Sequence, residues 1–317
     1  MSTPGLISVI VPVVKRHGDI TTLYREYKTA VAALGRPFEF VIVVDGPLPD
    51  ANASLEVLRR EGEPLTVIAL TREFGESTAL MAGFEHSTGE IVVTLPGYSQ
   101  IEARGVEALV AALDDADMAV GHRWPRAGGA AEVMRRRVFH SMVSSVTGQK
   151  LRDLGCGARA MKRRVLEEIA LYGDQHRFLP VLADRQGFKV VEVDVPQSPA
   201  DRFEGRYRPR EYAYRVLDIF TVFFLVRFTK KPLRFFGMLG ASLFGVALLL
   251  VTILVVQRLF FGQALADRPA LLLSSLLLVV GLQLFALGLL GEIVIFTHAR
   301  NIKDYQIDRV IRFDRED

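Results

Sequence analysis

The chain has 317 residues, 50% hydrophobic and 24% charged, with a mean hydropathy of +0.25. That is too much apolar surface for a disordered chain, and its single cysteine, Cys156, excludes a disulfide scaffold and suits a reducing compartment. A net charge of +3 and a pI near 9.0 are too mildly basic to argue for nucleic acid, but fit an anionic membrane or a phosphorylated substrate.

Residues 6–14 form an apolar, β-rich run with no basic segment before it. The run is too short to span a bilayer and ends in Lys15 and Arg16, so no signal peptide is expected. Further β-rich runs follow at 38–44, 65–70, 90–95 and 118–121. Helical spacing appears between them at 20–34, 55–61, 77–86 and 105–113. This alternation predicts an α/β fold, a mostly parallel sheet with helices on both faces. Such sheets bind ligands beyond the carboxyl ends of their strands, where the strand order switches. The informative residues are therefore Val14, Lys15 and Arg16, then Asp45 and Gly46, then residues 71–75, then residues 96–100. There is no internal repeat, Walker A loop or Gly-x-Gly-x-x-Gly signature.

The apolar excess lies late in the chain. Residues 212–228 mix aliphatic and aromatic side chains with Arg215, Asp218 and Arg227, which predicts an interfacial helix. Residues 235–257 and 269–291 each run 23 residues without a charge, or roughly 34 Å as helix, enough to cross a hydrocarbon core. The short link between them makes an antiparallel hairpin. Arg227, Lys230, Lys231 and Arg234 precede the first span, and Arg300, Lys303, Arg309, Arg312 and Arg315 follow the second. The positive-inside rule then predicts a multi-pass protein of the inner membrane with its head and both termini in the cytosol. The expected divisions are a head at 1–206, interfacial helices at 207–232, a transmembrane pair at 233–300 (spans about 235–257 and 269–297) and a tail at 301–317.

The order of motifs resembles the membrane-anchored family 2 glycosyltransferases that charge polyprenyl phosphates, such as dolichol-phosphate mannose synthase and the bactoprenol-phosphate glucosyltransferases. The resemblance is carried by Val43-Val44-Asp45-Gly46 and by Leu70-Thr71-Arg72-Glu73-Phe74-Gly75. It continues in Asp153-Leu154-Gly155-Cys156-Gly157-Ala158-Arg159, in His176-Arg177-Phe178-Leu179, and in the second span ending Leu290-Gly291-Glu292. It implies a GT-A fold and transfer of a sugar from a nucleotide diphosphate donor to an undecaprenyl or dolichyl phosphate at the cytosolic leaflet. The implied partners are the nucleotide sugar, the polyprenyl phosphate lipid and the membrane, with no nucleic acid. A homo-oligomer is compatible with the small residues Gly237, Gly240, Ala241 and Gly245.

By the resemblance, Pro12, Val14, Lys15, Arg16, Asp45, Gly46, Arg72 and Gly75 face the nucleotide, and Asp45 bonds the base unless it is only a solvated turn residue. Arg123 and Asp153 are the catalytic candidates, Arg123 facing phosphate and Asp153 orienting the acceptor or pairing with Arg159. Arg136, Arg137, Ser141, Arg159, Arg202 and Arg208 are candidates for the acceptor phosphate, Glu292 is read as structural and Cys156 as an inert thiol. The family's Asp-x-Asp-x-Gln metal motif falls on Pro96, Tyr98 and Gln100, so both carboxylates are missing. Mg²⁺ and Mn²⁺ need charged oxygen ligands, so the expected cofactor is no metal or a weakly bound one. Lys15, Arg16 and Arg123 are then expected to neutralise the leaving diphosphate. The loss of both aspartates also keeps a second possibility open, a catalytically inactive binding or assembly subunit of a lipid-linked sugar pathway.

Overall fold

The computed structural model describes residues 3–125, 151–169, 171, 175–201, 232–262 and 269–298. The chain divides into two units, Met1–Ile219 and Phe220–Asp317.

The first unit is built on strands β1 (Thr3–Val13), β2 (Phe38–Val44), β3 (Thr66–Ala69), β4 (Gly89–Thr94), β5 (Met118–Arg123), β6 (Arg159–Lys162) and β7 (Val190–Val195). They form one sheet in the order β3-β2-β1-β4-β6-β5-β7. All neighbours pair in parallel except β6, which runs antiparallel to both β4 and β5. The mostly parallel sheet expected from the alternation is present. β1 lies inside it, and Ile7, Val9, Ile10, Val11 and Val13 are all buried, as a strand covered on both faces requires.

Helices α1 (Ile20–Ala32), α2 (Pro49–Arg60), α3 (Glu76–Glu85), α4 (Gly105–Ala111), α5 (Arg164–Glu168) and α6 (Leu179–Arg185) cover the sheet. Asp19 caps α1, its carboxylate accepting from the backbone N–H of Thr21 and Thr22. The helix buries one stripe, Ile20, Leu23, Tyr24, Tyr27 and Val31. With Leu55, Leu58, Val106 and Leu109 this stripe forms the core on one face of the sheet. Leu80, Phe84, Val165, Leu179 and Phe188 pack against Ile10, Val92 and Met118 on the other. α2 begins at Pro49, not at Leu55, because its first turns offer only Ala51 to the core, and a proline at the first helical position opens a helix without an apolar signal. β5 runs on to Arg123, two residues beyond the expected end, where His122 and Arg123 pair with Asp194 and Val195 of β7.

The second unit contains α7 (Pro232–Phe261) and α8 (Pro269–His298), 30 residues each and long and apolar enough to cross a bilayer. Only 17% and 11% of their most apolar windows are buried, and leucines such as Leu249, Leu259, Leu272 and Leu276 face outward. Core helices of a soluble protein hide such faces. α7 takes in Arg234 and Arg258, beyond the charge-free run, since a long side chain at a helix end reaches polar surroundings without breaking the helix. Two glycines let α7 and α8 touch. A Cβ on Gly240 would lie 2.6 Å from the Gly281 carbonyl oxygen, and one on Gly281 would lie 2.7 Å from the Phe244 nitrogen. Gly240 therefore faces the partner helix of its own hairpin, Ala241 is exposed, and Gly245 has open space beside it. Glu292 lies 3.5 Å from the Leu233 backbone N–H, near the start of α7.

Candidate active site

The strand order turns between β1 and β4, and a crevice opens there at their carboxyl ends. Pro12, Pro96 and Gly157 line it together with Glu76, Arg159 and His176. The loop after β4 is fixed from below. The buried Tyr27 hydroxyl donates to the carbonyls of Pro96 (3.2 Å) and Tyr98 (3.4 Å). The buried Gln100 amide ties this loop to the 153–157 segment: its Oε1 accepts from the Gly157 N–H (2.7 Å), and its Nε2 donates to the Tyr98 hydroxyl (2.7 Å) and the Gly155 carbonyl (3.2 Å). Burial holds the Tyr98 phenol above its usual pKa.

Beside this loop is an ion cluster that joins β1, β5 and the end of the head. Arg123 is buried. Its Nε and Nη2 donate to both oxygens of Asp153 at 2.7 and 2.8 Å, and its Nη1 donates to Asp201 at 2.8 Å. Burial would lower the Arg123 pKa, but the Asp153 hydrogen bonds and charge outweigh it and hold the guanidinium more firmly protonated. The other Asp201 oxygen accepts from Arg16 Nη2 at 3.1 Å. The Arg16 guanidinium in turn lies 4.0 Å from the Tyr98 ring centre. Asp153 thus pairs with Arg123, not with Arg159. The Arg159 guanidinium is buried and donates to the backbone carbonyls of Cys156 (3.2 Å), His176 and Arg177 (3.5 Å). It braces the 175–178 turn, and burial lowers its pKa. The buried Cys156 thiol is pushed up to about 11, first by burial and then by the Asp153 charge, which leaves it a poor nucleophile.

Around the nucleotide candidates, Asp45 is buried rather than a solvated turn residue. Its two oxygens accept from the backbone N–H of Phe74 (2.7 Å) and Gly75 (2.9 Å), fastening the loop after β3 to the end of β2. Gly46 adopts φ +90°, and a Cβ there would lie 2.9 Å from the Glu73 nitrogen, so only glycine lets the two loops meet. Lys15 pairs with Glu73 at 2.8 Å, both exposed, and Arg72 lies 4.9 Å from the Phe74 ring centre. Arg136, Arg137, Ser141, Arg202 and Arg208 lie outside the described residues.

Three sets of pairings between remote residues were not legible in the sequence. Asp201 and Glu73 offset the positive charge expected from Lys15, Arg16 and Arg123. A third group closes the crevice wall. His176 Nε2 lies 3.2 Å from the Glu76 carboxylate and its Nδ1 3.2 Å from the Ser77 hydroxyl.

The donor set does not suit a divalent cation. Pro96, Tyr98 and Gln100 supply no carboxylate, the Gln100 amide is committed to protein partners, and the nearby Asp153 and Asp201 are held by arginines. Among the described residues no three His, Cys, Asp or Glu side chains group around a common centre. Hard cations require several anionic oxygens together.

A mostly parallel sheet with a crevice at its switch point, and a buried acid–arginine cluster beside the loop after β4, make the layout of a ligand-binding α/β head. Residues 8–170 match glycosyl transferase family 2, and the chain belongs to that family, with the GT-A fold expected of it. It is 30% identical to the undecaprenyl-phosphate 4-deoxy-4-formamido-L-arabinose transferase of Enterobacter sp. (strain 638), over 96% of this chain and 93% of that protein. It is 29% identical to the protein of the same name from Klebsiella pneumoniae (strain 342), over 96% and 94%. A solved structure of glucosyl-3-phosphoglycerate synthase from Mycobacterium tuberculosis, in complex with Mg²⁺ and uridine diphosphate, is similar in fold. It aligns with a TM-score of 0.51 at 17% identity, over 69% of this chain and 79% of that one.

Proposed function

We propose that this glycosyltransferase moves a sugar from a nucleotide diphosphate donor to the phosphate of a polyprenyl lipid at the cytosolic leaflet of the inner membrane. The observation that carries the reading is the extent of the match. The relatives named for undecaprenyl phosphate align with 96% of the chain, head and helix pair together. The basic flanks of the two span-length helices support a head on the cytosolic side. A soluble donor then meets an acceptor phosphate at headgroup depth. One phosphate oxygen attacks C1 of the sugar, the C1–oxygen bond to the donor diphosphate breaks, and the nucleoside diphosphate leaves with the electron pair, inverting C1. A lipid phosphate is anionic at neutral pH, so this step needs no general base. Asp153, held by Arg123, shapes the acceptor side of the crevice, and Asp45 and Gly46 set the loop against which the base rests.

The test is transfer by the purified full chain in nanodiscs. UDP- and GDP-sugars are offered with undecaprenyl or dolichyl phosphate, and glycosylated lipid is sought by mass spectrometry. Product from one donor and acceptor pair is the expected result. The absence of carboxylates after β4 favours one alternative, an inactive binding or assembly subunit, and that reading would prevail if no nucleotide sugar bound or reacted.

A further inference from the structure

We infer that the Arg16 guanidinium, seated on the Tyr98 ring and held by Asp201, receives the donor diphosphate in the role a divalent metal would otherwise fill. This rests on the reading that the crevice takes a nucleotide diphosphate sugar. The structure separates the three cations that the sequence brought forward. Arg123 is spent: its side chain is 5% exposed and its three bonds run to two carboxylates. Lys15 is paired with Glu73 outside the rim, its side chain 76% exposed. Arg16 differs from both. Its side chain is 52% exposed, one nitrogen reaches Asp201, and its guanidinium carbon lies 4.0 Å over the Tyr98 ring centre.

That ring belongs to Tyr98, one of the residues standing where the family's motif carries a carboxylate. Gln100 locks the Tyr98 hydroxyl in place, so the platform is preorganised. A guanidinium held over a ring by its central carbon leaves N–H groups at its edge for hydrogen bonds, a fork that matches two phosphate oxygens. Its positive charge then meets the negative charge that grows on the leaving diphosphate without any proton transfer. Asp201 can release Arg16 to the phosphate without losing all its partners, because Arg123 and the Gln197 side chain still bond it, at 2.8 and 2.9 Å. Asp201 thus parks Arg16 over Tyr98 until a diphosphate competes for it.

The experiment is calorimetric titration of UDP and of GDP into the full chain in nanodiscs, once with EDTA and once with Mn²⁺. Wild type is expected to bind one of them equally in both buffers. Arg16→Met is expected to weaken that affinity about 10- to 100-fold, the range set by a charge-assisted pair. Arg16→Lys is expected to recover part of it, and Tyr98→Leu to lose less than Arg16→Met. Arg60→Met, on the exposed surface of α2, controls for net charge. Thermal unfolding of each variant separates a lost contact from a lost fold. Binding that needs Mn²⁺ and vanishes in EDTA would overturn the inference and leave the transferase reading standing, as would unchanged affinity in a folded Arg16→Met. No binding of either nucleotide in either buffer would overturn both.

Discussion

Replacing Arg123 by methionine removes a shared guanidinium from two buried carboxylates at once, Asp153 and Asp201, of which Asp201 keeps Arg16. Asp153 and Asp201 side chains are 1% and 6% exposed, and all three bonds to them are 2.7–2.8 Å long. Burying charge without its partner costs about 3–5 kcal/mol. For a head of this size each kcal/mol moves Tm by about 2–4 °C, so Arg123→Met should melt roughly 6–20 °C below wild type. The assay is thermal unfolding of the full chain in detergent, followed by the fluorescence of Trp124, the sole tryptophan. Its ring stacks on His122, with 5.9 Å between centroids, one residue from Arg123. Arg123→Lys keeps the charge but loses the fork and should fall between the two. Adding Asp153→Leu to Arg123→Met should return part of the loss, because one buried charge that has lost its guanidinium goes with it. A folded Arg123→Met within about 1 kcal/mol of wild type would refute the reasoning, since a buried three-bond brace cannot be removed at so small a cost.

Three further outcomes are expected. Gly281→Leu places a side chain where even a Cβ lies 2.7–2.8 Å from the Phe244 nitrogen and the Gly240 carbonyl. The two helices should separate, seen as loss of a disulfide engineered between α7 and α8 in the same membrane. Pro96→Asp combined with Tyr98→Asp restores two carboxylates and removes the Arg16 platform. Nucleotide binding should then fall in EDTA and recover with Mn²⁺, measured by the same titration. Burial alone would raise the Glu76 pKa, but the His176 hydrogen bond and the charges of His176, Arg159 and Arg177 hold it below the usual 4.5. A depressed carboxyl contributes stability above its unfolded pKa and loses it as pH falls through the folded one. The stability gap between wild type and Glu76→Gln should therefore be full near neutral pH and close in acid, followed by Tm against pH.

The parts of the fold legible in sequence are those set by local pattern. The five β-rich runs became five strands; β1, β2, β4 and β5 are covered and need a continuous apolar stretch, whereas β3 is a largely exposed edge strand, and α1 carries its own cap and stripe. Features made by distant partners were not legible. Asp201 meets Arg16 across 185 residues and Arg123 across 78, and no periodicity records such pairs. Lys15 and Arg123 read as cations for the leaving diphosphate because their partners Glu73 and Asp153 are remote in sequence. Asp45 read as a base contact or a solvated turn; it is buried, and the hold of its oxygens on backbone thirty residues on was not legible. The short β6 hid for a similar reason. Four residues paired between β4 and β5 are defined by their neighbours rather than by their own composition.

The glycine contact between α7 and α8 bears on how a long isoprenoid tail could be accommodated. With the Gly240 and Gly281 backbones touching, no slot exists at that level for a hydrocarbon chain to thread between the helices. Among the described residues, the outward leucine and valine faces are what the pair offers a prenol tail at that level. There the hairpin is a post for such a tail to lean on rather than a sleeve that encloses it.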